Sequence, residues 1–205
     1  MSAVFIISAP SGSGKSTLVK RLLENMDGLM FSVSYTTRAP RGHEKNGESY
    51  RFISRAEFEE RLERGEFLEH ASVFGNYYGT HAGILEEARA AGKDLVLDID
   101  VQGARQLKGK IPDAVSIFVL APSRQKLEER LRARGEDSDE VVERRLAAAA
   151  EEIRNYQQYD YVLVNDDLTK SDETLSAIVR AERTRRERVE SQIRPILESF
   201  AKARK

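Results

Sequence analysis

Lys15 sits in the stretch Ser8-Ala9-Pro10-Ser11-Gly12-Ser13-Gly14-Lys15-Ser16-Thr17, which packs two glycines, four serines and one lysine into ten positions. Directly before it runs the apolar segment Ala3–Ile7, and after it Leu18, Val19, Leu22, Leu23 and Met26 recur at a period near 3.6. A loop between a buried strand and a helix presents unpaired N–H groups at the positive end of the helix dipole. Gly12 and Gly14 let that backbone curl around one anion. Lys15 can then reach the outer phosphates of a nucleotide, and Ser16 can offer its hydroxyl to Mg²⁺. The strict pattern asks for Gly at its first position, where this chain has Ala9, small enough for the turn if φ is negative. A Gly/Ser turn with a chance lysine is the plain alternative, and the flanking strand and helix speak against it. Such a loop predicts a bound nucleoside triphosphate and leaves the reaction open.

Asp98 and Asp100 flank Ile99 at the end of another apolar run, so in a strand they would point the same way, where α/β proteins collect ligands. Other chemistries lack their residues. The chain has no cysteine, hence no disulfide, thiolate metal site or cysteine nucleophile, which suits a reducing cytoplasm. His43, His70 and His81 lack metal-ligand spacing, and no Ser/His/Asp triad is evident. A net charge of −1 argues against nucleic-acid binding through bulk positive charge. No apolar run nears the ~20 residues that span a bilayer, and none reads as a secretory leader. The expectation is a cytoplasmic protein with neither membrane nor nucleic-acid partner.

The elements that must position these residues follow from periodicity. Ala3–Ile7, Leu95–Ile99, Val115–Leu120 and Tyr161–Val164 are continuous apolar runs, as in strands buried on both faces. Residues 82–91 read as a helix closed by Gly92, 123–134 as one closed by Gly135, and 139–157 as one started by Asp137 with Glu140 three on. The alternation predicts an α/β fold, a three-layer doubly wound parallel sheet of the P-loop NTPase type. Residues 31–81 break the rhythm with short strand signals at Phe31–Ser34, Tyr50–Ile53, Phe67–Val73 and Tyr77–Gly79. A helix among them starts at the capping box Ser54-Arg55-Ala56-Glu57. They predict a small mixed α/β lobe inserted in the core. Residues 171–203 read as a helical tail that Pro195 should kink. Its first stripe is Leu175, Ile178 and Val179, and its second Val189, Ile193, Ile196, Leu197 and Phe200. The second stripe packs either on its own core or on a neighbouring subunit.

Residues 32–50, SVSYTTRAPRGHEKNGESY, together with the phosphate loop, resemble guanylate kinase, a nucleoside-monophosphate kinase family. Further family-like motifs follow in order: FLEHASVFGNYYGT (67–80), LDIDVQGA (97–104), LRARG (131–135), ERRL (143–146) and YDYVLVNDD (159–167). The resemblance spans residues 3–187 and implies ATP + GMP ⇌ ADP + GDP with Mg²⁺. It implies one domain: core 1–30, 82–123 and 147–205, a GMP-binding lobe 31–81 and a lid 124–146. Residues 9–17 and Asn165-Asp166 would take ATP, the latter bordering adenine.

The resemblance also implies residue roles. Arg38 and Arg41, with Tyr50 and Tyr78, would hold the acceptor phosphate, a dianion suited to guanidinium forks. Glu69 would accept from guanine N1–H and N2–H₂, with Ser34 and Thr80 as hydroxyl contacts. Asp98 would work near Mg²⁺ and its waters alongside Ser16, and Asp100 near the guanine amino group. Arg130, Arg134 and Arg145 match the lid arginines that meet charge on the transferring phosphoryl group. Residues 124–146 carry seven basic and seven acidic side chains, so placement rather than composition must supply that charge. The chain departs from the family at Arg41-Gly42-His43-Glu44, where Gly usually stands one place later, and at His81 after Gly79-Thr80. Two rivals remain: a guanylate-kinase-like interaction module without catalysis, and a kinase for another nucleoside monophosphate.

Overall fold

A computed structural model describes residues 2–133 and 138–202. Five parallel strands form its central sheet: β1 (Val4–Ser8), β2 (Leu29–Phe31), and, further along the chain, Asp94–Asp98, Val115–Leu120 and Tyr161–Val164. Between them lie α1 (Lys15–Asn25) and a second sheet of β3 (Tyr35–Thr36), β4 (Arg51–Phe52), β5 (Phe67–Val73) and β6 (Asn76–His81), with α2 (Arg55–Glu63). The chain continues through α3 (Ile84–Ala90), β7 (Asp94–Asp98), α4 (Val101–Lys110), β8 (Val115–Leu120), α5 (Arg124–Arg132) and α6 (Asp139–Ile153). A 3₁₀ turn (Arg154–Gln158), β9 (Tyr161–Val164), α7 (Leu168–Arg183) and α8 (Arg186–Lys202) complete it.

The central order is β2-β7-β1-β8-β9, so β1 sits in the middle and its C-terminal end opens between β7 and β8. Both faces are covered, as the continuous apolar strands require. On one face Leu18, Val19 and Leu22 of α1 and Leu175 and Val179 of α7 pack on Phe5, Ile7, Val96, Ile117 and Val119. On the other, Ala88 of α3 and Ala104 and Leu107 of α4 pack on Ile6, Leu95 and Leu97. A separate cluster of Leu127, Leu131, Val142, Leu146 and Ala149 joins α5 to α6. The predicted three-layer parallel α/β fold is therefore the observed one.

The small sheet, β4-β3-β6-β5, is mixed: β3 runs parallel to β4 and antiparallel to β6. Ser54 caps α2 by accepting from the Glu57 N–H at 3.1 Å, as its capping box predicts. Phe58 of that helix is fully buried, stacked on Phe67 and Tyr77 with centroids 4.4 and 5.2 Å away.

Several expectations shift. The strand expected at Phe31–Ser34 is not formed: residues 32–34 link Leu29–Phe31, which pairs with β7 in the main sheet, to Tyr35–Thr36, which pairs in the small one. The α6 helix ends at Ile153 and gives way to the 3₁₀ turn; its N-cap is Ser138, and Asp137 and Gly135 lie outside the described residues. The tail breaks at Thr184-Arg185, and Pro195 lies within α8. At the break, buried Glu182 accepts from the Tyr161 hydroxyl at 2.6 Å and pairs with Arg185 at 2.7 Å, which fixes where the chain turns. Leu175 and Val179 are fully buried, whereas Ile196, Leu197 and Phe200 are 56, 61 and 71% exposed. The C-terminal part of the second stripe thus does not pack on its own core, while Val189 and Ile193 are half-buried.

Candidate active site

The phosphate loop leaves the C-terminal end of β1. Gly12 and Gly14 take φ of +91° and +90°, conformations that L side chains rarely adopt, and the Ser13 N–H closes a turn onto the Pro10 carbonyl at 3.1 Å. A Cβ on Gly14 would also collide with the Asn165 amide nitrogen. Lys15, the first residue of α1, pairs with Asp98 and donates to the Ile99 carbonyl at 3.1 Å. Ser16 donates to the other Asp98 oxygen at 3.1 Å. A carboxylate and a hydroxyl side by side are hard oxygen donors suited to Mg²⁺. Among the described residues no group of three or more acidic or histidine side chains forms a cage, so substrate phosphates and water would have to complete the coordination.

One cleft runs from this loop to the small sheet. Residues 9–16 line one end; Ser34, Arg38, Arg41, Tyr50, Glu69 and Tyr78 line the other, with Asp98, Asp100 and Arg145 between them. Lys15 and Arg38 therefore open onto a common space.

The small-sheet end is built from linked pairs. Arg38 donates from Nε to the Tyr78 hydroxyl at 3.1 Å and from Nη2 to both Glu44 oxygens at 2.8 and 3.0 Å. Its guanidinium lies over the Tyr50 ring, 5.4 Å from the centroid. Burial works against the Arg38 charge, but the bonds to Glu44 and Tyr78 outweigh it and hold its pKa above the ordinary value. Burial pushes the Tyr50 phenol up to about 12, with the Asp98 charge adding to it, which keeps a proton available for donation. Arg38 donating to the Tyr78 oxygen leaves that O–H also free to donate.

Glu69, 3% exposed, accepts from the Thr80 hydroxyl at 2.6 Å. Burial raises its carboxyl to about 7; the Thr80 bond opposes this and Asp100 reinforces it. Asp100 lies beyond the strand, capping α4 by accepting from the Gly103 N–H at 2.9 Å while still lining the cleft.

Some expected contacts fall elsewhere. Thr80 is fully buried behind Glu69, and its hydroxyl is spent on it. Asn165 is 3% exposed and donates to the Ser13 carbonyl at 2.9 Å. Arg130 donates to that carbonyl at 3.3 Å and to the Asn165 carbonyl at 2.8 Å. Both brace the phosphate loop rather than line the cleft, as their donors are drawn to carbonyls left unpaired where the loop curls. Thr17 and Asp166 are exposed and do not line the cleft. Arg134 lies outside the described residues. Arg145, 8% exposed, does line it and lies 6.0 Å from the ring centroid of Phe74, a hairpin residue of the small sheet with φ +48°.

Sequence reasoning missed Glu152. It lines the cleft from α6, where burial and then Asp100 raise its carboxyl to about 7 while Lys15 opposes. Its only sequence signal is seven-residue spacing from Arg145, which puts both on one face of α6.

A phosphate loop on a β2-β7-β1-β8-β9 sheet, facing a second cationic pocket across one cleft, defines a P-loop phosphotransferase class. The family profile described as guanylate kinase matches residues 1–182. A guanylate kinase of Koribacter versatilis (strain Ellin345) is 56% identical over 201 residues, covering 96% of this chain and 86% of the relative. That of Escherichia coli (strain K12) is 50% identical over 187 residues, 90% of each. A crystal structure of guanylate kinase from Anaplasma phagocytophilum, 37% identical, superposes with a TM-score of 0.77 and covers 94% of this chain and 95% of that one. The chain belongs to the guanylate kinase family, and it is an enzyme with guanylate kinase function. No described helix is long and apolar enough to cross a membrane.

Proposed function

We propose that this enzyme transfers the γ-phosphoryl group of ATP to GMP with Mg²⁺, the phosphate loop holding the donor and the 31–81 lobe the acceptor. The observation that carries this is the single cleft shared by Lys15 and Arg38. Lys15 and the loop N–H groups hold the donor phosphates, and Arg38, Arg41, Tyr50 and Tyr78 hold the acceptor phosphate. Arg145 faces the gap between them, where charge builds on the transferring group. Ser16 and Asp98 would hold Mg²⁺, which supplies charge neutralisation when bound. Phosphate oxygens are already nucleophilic, so alignment and charge suffice without a general base. Residues 124–146 act as a lid that excludes water.

For the base, Glu69 accepts from guanine N1–H and N2–H₂, Ser34 donates to O6, and Asp100 lies near the amino group. Adenine would set its N1 lone pair against Glu69, and each buried group left unpaired costs about 1–3 kcal/mol. Assay of ADP release with ATP, Mg²⁺ and each of GMP, AMP, UMP and CMP tests the reading: GMP should be strongly preferred. Turnover with none would favour an interaction module, and preference for another acceptor would remove the role given to Glu69.

Gly103 supplies a further check. A Cβ there would strike the Glu69 carboxylate, lying 2.9 Å from its Cδ. Gly103→Ala is expected to raise KM for GMP by about tenfold to 10²-fold with little change in KM for ATP, by displacing the base-reading oxygens. Steady-state kinetics with each substrate varied would measure it.

The exposed end of the α8 stripe supports a homo-oligomer. Val189, Ile193, Ile196 and Phe200 are spaced four, three and four apart, the seam of paired helices. The unfolding midpoint should then fall on dilution, whereas a monomer's would stay fixed.

A further inference from the structure

Glu44 has no role in the reading so far, yet its carboxylate is bonded to two residues, Arg38 and Arg41, that line the acceptor end of the cleft. Arg38 Nη2 donates to both of its oxygens, at 2.8 and 3.0 Å, and the backbone N–H of Arg41 donates to Oε2 at 2.8 Å. The Glu44 N–H returns a bond to the Arg41 carbonyl at 2.9 Å, closing a turn in which Gly42 takes φ +49°. That turn explains the glycine at 42: a left-handed residue there folds the chain back so that Glu44 meets Arg38. The Arg38 and Glu44 side chains are 9 and 26% exposed, so this is a partly buried pair rather than a solvated one.

We propose that Glu44 is a positioning residue for the acceptor phosphate, tying the Arg38 guanidinium and the Arg41 backbone into one rigid turn that faces the cleft. The proposal rests on the reading of Arg38 and Arg41 as the acceptor-phosphate cradle. Arg38 spends its other contacts on the Tyr78 hydroxyl at 3.1 Å and on the Ala39 carbonyl through Nη1 at 2.7 Å. Its plane is thus fixed on three sides, with part of Nη1 left for an incoming anion. Fixing Arg38 also fixes the Tyr78 oxygen as an acceptor and so aims its proton away from Arg38. Glu44 stays ionised in this role: burial alone would raise its carboxyl, but the Arg38 and Arg41 bonds hold it below the usual range.

Two effects of removing Glu44 oppose each other. Losing a negative charge makes the pocket more attractive to a dianion. Losing the anchor leaves a nearly buried Arg38 without its counter-ion and frees the Arg41 turn. A buried cation stripped of its partner turns toward water, so misplacement outweighs the Coulomb gain. The sign of the change therefore separates a positioning carboxylate from one that competes with the phosphate for Arg38.

The test compares the full-length enzyme with Glu44→Ala, Glu44→Gln and Arg38→Ala, varying GMP and ATP separately and recording the thermal midpoint. Glu44→Ala is expected to raise KM for GMP by about tenfold to a hundredfold, leaving KM for ATP within about twofold. Glu44→Gln, nearly isosteric and retaining one acceptor oxygen, should give a smaller rise with an unchanged midpoint. An unchanged or lowered KM for GMP, or an equal rise in KM for ATP, would overturn the role of Glu44. Arg38→Ala leaving KM for GMP unchanged would instead overturn the cradle itself, whatever Glu44 does.

Discussion

Lys15→Ala is expected to cut turnover by about 10²- to 10³-fold or more while GMP binds with nearly its original affinity. In the proposed reaction Lys15 is the cation that meets the donor's outer phosphates. In the structure it is held in reserve on Asp98 and the Ile99 carbonyl. Its removal therefore costs charge stabilisation that is needed most while the phosphoryl group is in transit. The residues proposed for the acceptor sit on other elements: Arg38 and Tyr78 bond each other, and Glu69 bonds Thr80. None of those bonds passes through Lys15. Calorimetric titration with GMP beside steady-state assay would check both halves. A parallel loss of GMP affinity would mean the two ends of the cleft are not separate sites.

The second large effect concerns Glu69 and pH. Burial raises its carboxyl to about 7 in the free enzyme, whereas the contact proposed for it with guanine's donors requires the ionised form. Binding below that pH must first remove a proton, so KM for GMP should rise toward tenfold per unit as pH falls below about 7, and level off above it. The linkage to folding has the opposite sense. A carboxyl raised in the folded state contributes stability that is present below its unfolded value of about 4.5. That contribution is lost as pH rises through about 7. Glu69→Gln should abolish the step near 7, raise KM for GMP by about tenfold to a hundredfold, and narrow the preference for GMP over AMP. The acceptor's own phosphate ionises near 6, so its effect would survive in the variant. Glu152, also raised to about 7, lies on α6, and its titration would survive too.

What was legible in the sequence was whatever local chemistry dictates. The strands β1, β7 and β8 announced themselves as continuous apolar runs because both their faces are covered, whereas β9, at the sheet edge, reads the same way although Val162 and Val164 are exposed. The loop at 9–16 and the Ser54 cap were readable because a few residue types alone meet those backbone demands. Helix α4 was hidden: Gly103 and Gly109 lower its propensity, and Gly103 is there to clear Glu69. Strand β2 is three half-buried residues and carries too little pattern to assign. In the site, residue types suggested candidates for meeting phosphate but not which side of the loop each occupies. Asn165 and Arg130 therefore turned out to brace Ser13 from behind. Glu152 and Glu44 become visible only once the chain has folded the first onto the cleft and the second onto Arg38.

The central claim is that donor and acceptor cradles face each other across one gap. A single molecule joining adenosine to guanosine through a chain of phosphates should then fill both at once. Its dissociation constant is predicted to lie well below those of ATP and GMP, with competition against both substrates, because the second contact forms at high effective concentration. Competition with one substrate alone, or affinity no better than that of the matching half, would contradict the account.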